Sequence, residues 1–313
     1  MRVFRDGGAG VADDTSGAFD SPSLVEGAAR MRANLEPIRS IVAVASARGG
    51  TGKSAIVVNL AAVLAQLGRK VGIVDADLNS PSIVAMLGMK VPRRIIPGEG
   101  IDPHAGPLGL RIVGNNLLPD RTSTPISFLD LEGSSVPPSN GQGPTEVDYS
   151  SSLRHLLSSS RFGTLDLLLI DLPPGVESLA RILDIAPRTG LIVVSHPSEL
   201  SARASKGIFD LAHDRGAAVL GIVENMIGFN CDGCHTVRPL MPQGAVGALA
   251  SDLGIRLLER LPFDPRFAET SDRGTFFVRE YAETPLAKQF IALAQAIDRT
   301  GNPRITATAS VPG

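Results

Sequence analysis

Ala47-Arg48-Gly49-Gly50-Thr51-Gly52-Lys53-Ser54 is the stretch whose residue types and spacing most directly imply chemistry. Its glycines let the backbone curl and aim N–H groups at phosphate oxygens. The spacing is that of the phosphate-binding pattern Gly-x-x-x-x-Gly-Lys-Ser/Thr, with Ala47 where glycine is usual. Lys53 is expected to reach the β and γ phosphates and Ser54 to ligate magnesium. A helix starting at Lys53 would add the positive end of its dipole. ATP with Mg2+ is the expected ligand. A plain Gly-rich turn is the bland alternative, and the strand-like run before the loop and helical pattern after it argue against that. Arg48, just before Gly-Gly, keeps a positive charge that can grip phosphate bidentately; otherwise it is a solvated loop arginine.

Two further places carry carboxylates. In Val74-Asp75-Ala76-Asp77, the acids stand at i and i+2 at the end of an apolar run. Asp75 would hold magnesium through water, and Asp77 would orient the attacking water as the γ-phosphate leaves. Either could instead cap a helix near Ser80-Pro81-Ser82. Leu167-Leu168-Leu169-Ile170-Asp171 is an apolar strand ending in one acid, and a buried Asp calls for a metal or a cation. The turn Pro173-Pro174-Gly175 follows, its Gly175 N–H expected to approach the γ-phosphate as a sensor of nucleotide state. The expected catalytic set is Arg48, Lys53 and Asp77, and the expected magnesium set is Ser54, Asp75 and Asp171.

The chain has two cysteines, in Cys231-Asp232-Gly233-Cys234-His235. Four readings compete. An iron–sulfur or zinc S4 site needs four thiolates, so two chains would have to share it. A redox dithiol usually opens a helix. Cys-x-x-Cys-His matches c-type haem attachment, a chemistry of exported proteins. Two inert thiols are the fourth. His235 could be a third ligand, a donor to sulfur or an ordinary surface histidine.

These residues need a scaffold that puts several loops on one edge. Apolar strand patterns occur at 41–45, 71–75, 110–113, 165–171, 191–195, 218–223 and 256–261, and helical ones at 53–66, 201–214, 245–253 and 285–298. Continuous apolar strands alternating with helices predict a three-layer α/β/α, doubly wound, mainly parallel sheet. Residues 1–38 read as a flexible N-terminal tail, 39–300 as the P-loop NTPase domain, 120–149 as a mobile Ser/Pro/Gly-rich insertion and 301–313 as a C-terminal tail.

Composition narrows the partners. Of 313 residues, 43% are hydrophobic and the formal charge is -2, so no basic excess exists to bind a nucleic acid backbone. Trp is absent and Tyr occurs twice, which leaves few stacking platforms for single strands. No apolar run approaches the roughly 20 residues of a membrane span, and no apolar leader is seen. A cytoplasmic protein without nucleic acid or membrane partners is expected.

Together the motifs resemble the Mrp/ApbC iron–sulfur cluster carrier ATPases, MinD-related P-loop proteins whose Walker A motif is deviant. The likeness covers about 41–295. It rests on Arg48 to Ser54, Asp75-Ala76-Asp77 with Pro81-Ser82-Ile83, and Asp171-Leu172-Pro173-Pro174-Gly175. It continues through Gly221-Ile222-Val223-Glu224-Asn225-Met226, the Cys231/Cys234 pair and Leu261-Pro262-Phe263-Asp264-Pro265. The resemblance implies slow ATP hydrolysis by a homodimer that bridges one 4Fe-4S cluster between two cysteine pairs and delivers it to apo iron–sulfur client proteins. It implies cluster ligation by Cys231 and Cys234, and adenine contacts from Asn225 and the backbone near Pro262. Arg48 stands where the family has lysine, and Val176-Glu177-Ser178 where it has Thr-x-Asp. The family's Trp-Arg-Gly-Pro-Met segment and small acidic N-terminal domain are not recognisable. The rival reading is a MinD/ParA-like dimerisation switch in positioning or regulation, with zinc or no metal on the cysteines.

Overall fold

The computed structural model describes residues 22–90, 101–114, 146–230 and 236–299. In chain order its elements are α1 (Pro22–Leu35), β1 (Ile41–Ala45), α2 (Lys53–Gln66), β2 (Val71–Asp75), α3 (Ile83–Met86), β3 (His104–Ala105) and β4 (Arg111–Gly114). They continue with α4 (Glu146–Ser159), β5 (Leu167–Asp171), α5 (Val176–Ile185), β6 (Gly190–Ser195), α6 (Glu199–Asp214), β7 (Val219–Asn230) and β8 (Val237–Pro239). The last are α7 (Ala245–Asp252), β9 (Leu257–Phe263), α8 (Pro265–Arg273), α9 (Phe277–Glu280) and α10 (Pro285–Arg299).

The sheet runs β3-β4-β2-β5-β1-β6-β7-β8, and β9 also pairs with β7. Among the described residues, antiparallel pairing is confined to β3 on β4 and β8 on β7, so the mainly parallel, three-layer expectation holds. Strand side chains alternate between two cores, as a period of two requires. Ala43 and Ala45 of β1 face the core under α1, α4, α5, α6 and α7, while Val42 and Val44 face the one under α2, α9 and α10. Burial on both faces explains why every strand residue of β1, β2, β5 and β6 is buried and why these segments read as unbroken apolar runs.

Two expected boundaries are corrected. Residues 22–35 form a helix rather than part of a loose tail. Met31, Leu35 and Ile38 are buried, Asn34 Nδ2 donates to the Ser158 carbonyl at 2.6 Å, and Ile38 bridges to Leu165. At the other place, 146–149 already belong to α4 rather than to an insertion. The rest of 120–149 and the 301–313 segment lie outside the described residues.

Strand order places the chemistry. β1 lies between β5 and β6, and β2 flanks β5, so the loops leaving β1, β2 and β5 open side by side at one sheet edge. Asp75 and Asp171 are register partners on β2 and β5.

Candidate functional site

The loop from Ala47 to Gly52 joins β1 to α2. Gly50 and Gly52 have φ of 75° and 82°, a left-handed backbone that a side chain would resist. At Gly52 space also forbids a side chain, because a Cβ would lie 2.5 Å from Asn225 Nδ2. Lys53 folds inward from the first turn of α2. Its Nζ meets Asp171 Oδ1 at 3.0 Å with both side chains buried. Burial holds the Asp171 carboxyl above its ordinary range, opposed by the Lys53 charge and by a hydrogen bond from Ser54. Asp171 Oδ2 and the Thr51 hydroxyl are buried without a hydrogen-bond partner. Buried polar atoms in a native fold are normally satisfied, so these two orphans, one on the loop just before Lys53 and one on the carboxylate that Lys53 meets, are where a ligand's charged or hydroxylic groups fit.

Asp75 is fully buried and already engaged. Its Oδ2 accepts the Ser82 and Ile83 N–H groups at 2.8 and 3.0 Å, and its Oδ1 accepts the Asp77 N–H at 3.2 Å. Of the two acids it is Asp75, rather than Asp77, that caps α3. Burial pushes its carboxyl up to about 7, with Asp171 adding to the rise and the backbone donors opposing it. Asp77 is half-buried and accepts the Ser80 N–H at 3.1 Å.

The Pro173-Pro174-Gly175 turn differs from expectation. Gly175 N–H donates to the Ser46 carbonyl at 2.9 Å, so it ties the turn to the phosphate loop rather than pointing at a ligand. Ser178, where the resemblance expects an acid, closes the turn through its hydroxyl onto the Pro173 carbonyl at 2.8 Å. Arg48 is exposed on the loop's outer rim.

Asn225 and Pro262, from β7 and β9, meet Gly52, Ala55, Met226 and Phe267 around a cavity of about 240 Å³. Asn225 is held by its Nδ2, which donates to the Thr51 carbonyl at 2.8 Å. The next residue, Met226, has φ 61°, a costly state for a side chain of its size and one that clusters at functional sites. Pairing of β7 with β9 slips between Asn225 and Phe229, which is where the strand turns past the cavity. The lining is mainly apolar, with the Asn225 amide, Ser271, Asp264 and Asp272 as its polar members, and it suits a heteroaromatic base beside the phosphate loop. Cys231, Cys234 and His235 lie outside the described residues. The strands on either side of them pair antiparallel, Asn230 opposite Val237. Among the described residues no three His, Cys, Asp or Glu side chains cluster as a metal site.

Sequence reasoning missed three contributors. Met226 and Phe267 line the cavity because of a backbone kink and a helix packing that no local pattern announces. Tyr149, whose hydroxyl donates to the Ala76 carbonyl at 3.0 Å, had a legible signal in its helical spacing to Leu153, Leu156 and Leu157.

The family profile of the ParA group described as the NUBPL iron-transfer P-loop NTPase matches residues 37–298. The chain belongs to that family. An iron-sulfur cluster carrier protein of Saccharolobus solfataricus is 32% identical over 270 residues, 86% of either chain. The human cytosolic Fe-S cluster assembly factor NUBP2 is 32% identical over 277 residues, covering 84% of this chain and 94% of that one. Among solved structures, a nucleotide-binding protein of Archaeoglobus fulgidus in complex with ADP superposes with a TM-score of 0.67 at 30% identity, over 84% of this chain and 96% of its own. The septum site-determining protein MinD of Pyrococcus horikoshii, complexed with Mg-ADP, gives 0.59 at 21%, covering 83% and 96%, and shares the fold. The mainly parallel sheet and its iron-transfer membership thus agree with the family resemblance read from the sequence.

Proposed function

We propose that this chain is an ATP-binding, slowly ATP-hydrolysing carrier that holds an iron–sulfur cluster between two copies of itself and passes it to apo-proteins, acting in the cytoplasm. One observation carries the reading: β7 forms the wall of the base cavity at Asn225 and Met226 and runs on to Asn230, next to Cys231. The cavity wall and the residue just before Cys231 in sequence therefore belong to one strand. The A. fulgidus relative binds ADP and the S. solfataricus relative carries iron–sulfur clusters, which supports both halves.

In this reading the loop from Ala47 to Ser54 wraps the phosphates. Lys53 leaves its pairing with Asp171 to meet the β and γ phosphates, a short swing between two anions. Magnesium supplies charge neutralisation at the γ-phosphate. Ser54 and Asp171 would hold it, since Asp171 has an unused buried oxygen, and Asp75 would hold it through water. Asp77 orients the attacking water, Arg48 supplies charge from the rim, and Asn225 with the Pro262 backbone receives the base. Cys231 and Cys234 bind the cargo, two thiolates per copy.

The test is anaerobic reconstitution with iron and sulfide, followed by elemental analysis and visible absorbance. Wild type should retain iron and sulfide in equal amounts, near two of each per chain for a shared 4Fe-4S cluster. Cys231→Ala and Cys234→Ala should each lose the cluster absorbance. Equal absorbance in all three proteins sinks the cargo role, and zinc without iron favours a zinc-joined switch.

A further inference from the structure

The carbonyl of Ala76 and the N–H of Asp77 belong to one peptide group, and both ends of it are held. The carbonyl accepts the Tyr149 hydroxyl at 3.0 Å and the Leu78 N–H at 2.9 Å, and the N–H donates to Asp75 Oδ1 at 3.2 Å. The Ala76 N–H is in turn bonded to the Asp171 carbonyl at 3.0 Å. A peptide plane held at both ends fixes the N–Cα bond of the residue that follows, here Asp77, and the turn closed by the Leu78 N–H on the same carbonyl restrains its φ, so together they set where the Asp77 side chain starts. Asp75 and Leu78 flank this peptide in sequence, and Asp171 ends the neighbouring β5. Tyr149 comes from a distant element, the first half of α4.

α4 is well placed to act as that anchor. Tyr149 is half-buried with its ring against the core, so few rotamers are open to it. The next residue, Ser150, accepts Arg181 Nη1 at 2.9 Å, and Arg181 belongs to α5, the helix that follows the Pro-Pro-Gly turn. α4 thus touches the turn after β2 directly and the turn after β5 through α5. Burial and the nearby carboxylates of Asp77, Asp75 and Asp171 hold the phenol well above its usual range, so it remains a hydrogen-bond donor.

We propose that Tyr149 is a positioning residue for Asp77: its hydroxyl sets the Ala76–Asp77 peptide and so aims the Asp77 carboxylate at the attacking water. This rests on the water-orienting role given to Asp77 above.

Tyr149→Phe removes the donor and keeps the ring. Compared with wild type in the full-length protein, ATP turnover should fall roughly tenfold, as for other groups that place a reacting partner, while KM and the dissociation constants for ADP and a non-hydrolysable ATP analogue stay within about twofold. Exchange of the Asp77 amide hydrogen should quicken in Tyr149→Phe while that of buried α2 amides does not, a readout independent of activity. In an Asp77→Asn background, Tyr149→Phe should cost nothing further, because the residue it aims is already disabled. The proposal is overturned by normal turnover in Tyr149→Phe, by the same fold loss on both backgrounds, or by weakened nucleotide binding with turnover intact. If Asp77→Asn alone turns over ATP at the wild-type rate, the role of Asp77 fails and this inference with it. If Asp77→Asn is slow and Tyr149→Phe is not, the inference fails alone.

Discussion

Two carboxylates removed from water side by side dominate the residue scale. Asp171 has Lys53 to balance it; Asp75 has only backbone N–H groups, at 2.8, 3.0 and 3.2 Å. Donors of that kind favour the ionised form, yet burial outweighs them and pushes Asp75 up to about 7. The sign for stability follows. A carboxyl whose folded value lies above its unfolded one, near 4, binds its proton more tightly when folded. Its favourable contribution is complete below about pH 4 and is lost as pH rises toward 7. The comparison is wild type minus Asp75→Asn, each without nucleotide, two proteins that differ at this group alone. The difference in unfolding free energy should fall by a few kcal/mol between about pH 4 and 7, at up to about 1.4 kcal/mol per pH unit. Urea melts at a series of pH values measure it, and a flat or rising difference would contradict the assignment. Mg2+ with nucleotide, which stabilises the ionised form, should shrink the fall.

Elements decide whether those residues meet. α1 is the clearest case, because it changes the boundary of the folded unit. Its Met31 and Leu35 are buried against α4, and Asn34 is bonded to the end of that helix. Deleting residues 1–35 should therefore expose Leu153, Leu156 and Leu157 and cost on the order of 3 kcal/mol, from two large apolar side chains and one hydrogen bond. A loose tail would cost nothing, so an unchanged denaturation midpoint would restore the tail. The contrast with β1 and α2 explains what a sequence reader can see. β1, β2 and β5 are buried on both faces and announce themselves as apolar runs, and the phosphate loop is set by local glycine chemistry, so strands, loop and Lys53 were all legible. α1 is amphipathic and short of strong apolar residues, and its order comes from packing on α4 some 120 residues later, which no local window contains. The start of α4 was masked for the same reason by the Ser- and Pro-rich run before it. The cavity beside the phosphate loop depends on Asn225, Met226, Pro262 and Phe267 meeting across β7, β9 and α8. Asn225 and Pro262 came from the family resemblance, while the other two needed the fold.

At the scale of the whole molecule, β1 and β7 both run parallel to β6, which lies between them, so they head toward the same sheet edge. Arg48 is exposed on the loop after β1, and Cys231 follows β7 in the sequence. A two-fold interface uses one patch twice, so a face carrying both features would bring two arginines toward two nucleotides and two cysteine pairs toward each other. This predicts two separable contributions to dimer formation. With Mg2+ and a non-hydrolysable ATP analogue, light scattering should show the mass doubling without any iron. Arg48→Ala should weaken that dimer about tenfold to a hundredfold, the worth of a charge-assisted hydrogen bond to phosphate across the interface. Arg48→Lys keeps the charge and should lose far less. Replacing both cysteines should leave the nucleotide-dependent dimer intact and abolish only dimerisation induced by iron and sulfide. If Arg48→Ala dimerises like wild type, Arg48 acts within its own subunit or not at all. If the cysteine variant loses the nucleotide-dependent dimer too, the two contributions are one, and the cargo, rather than ATP, holds the copies together.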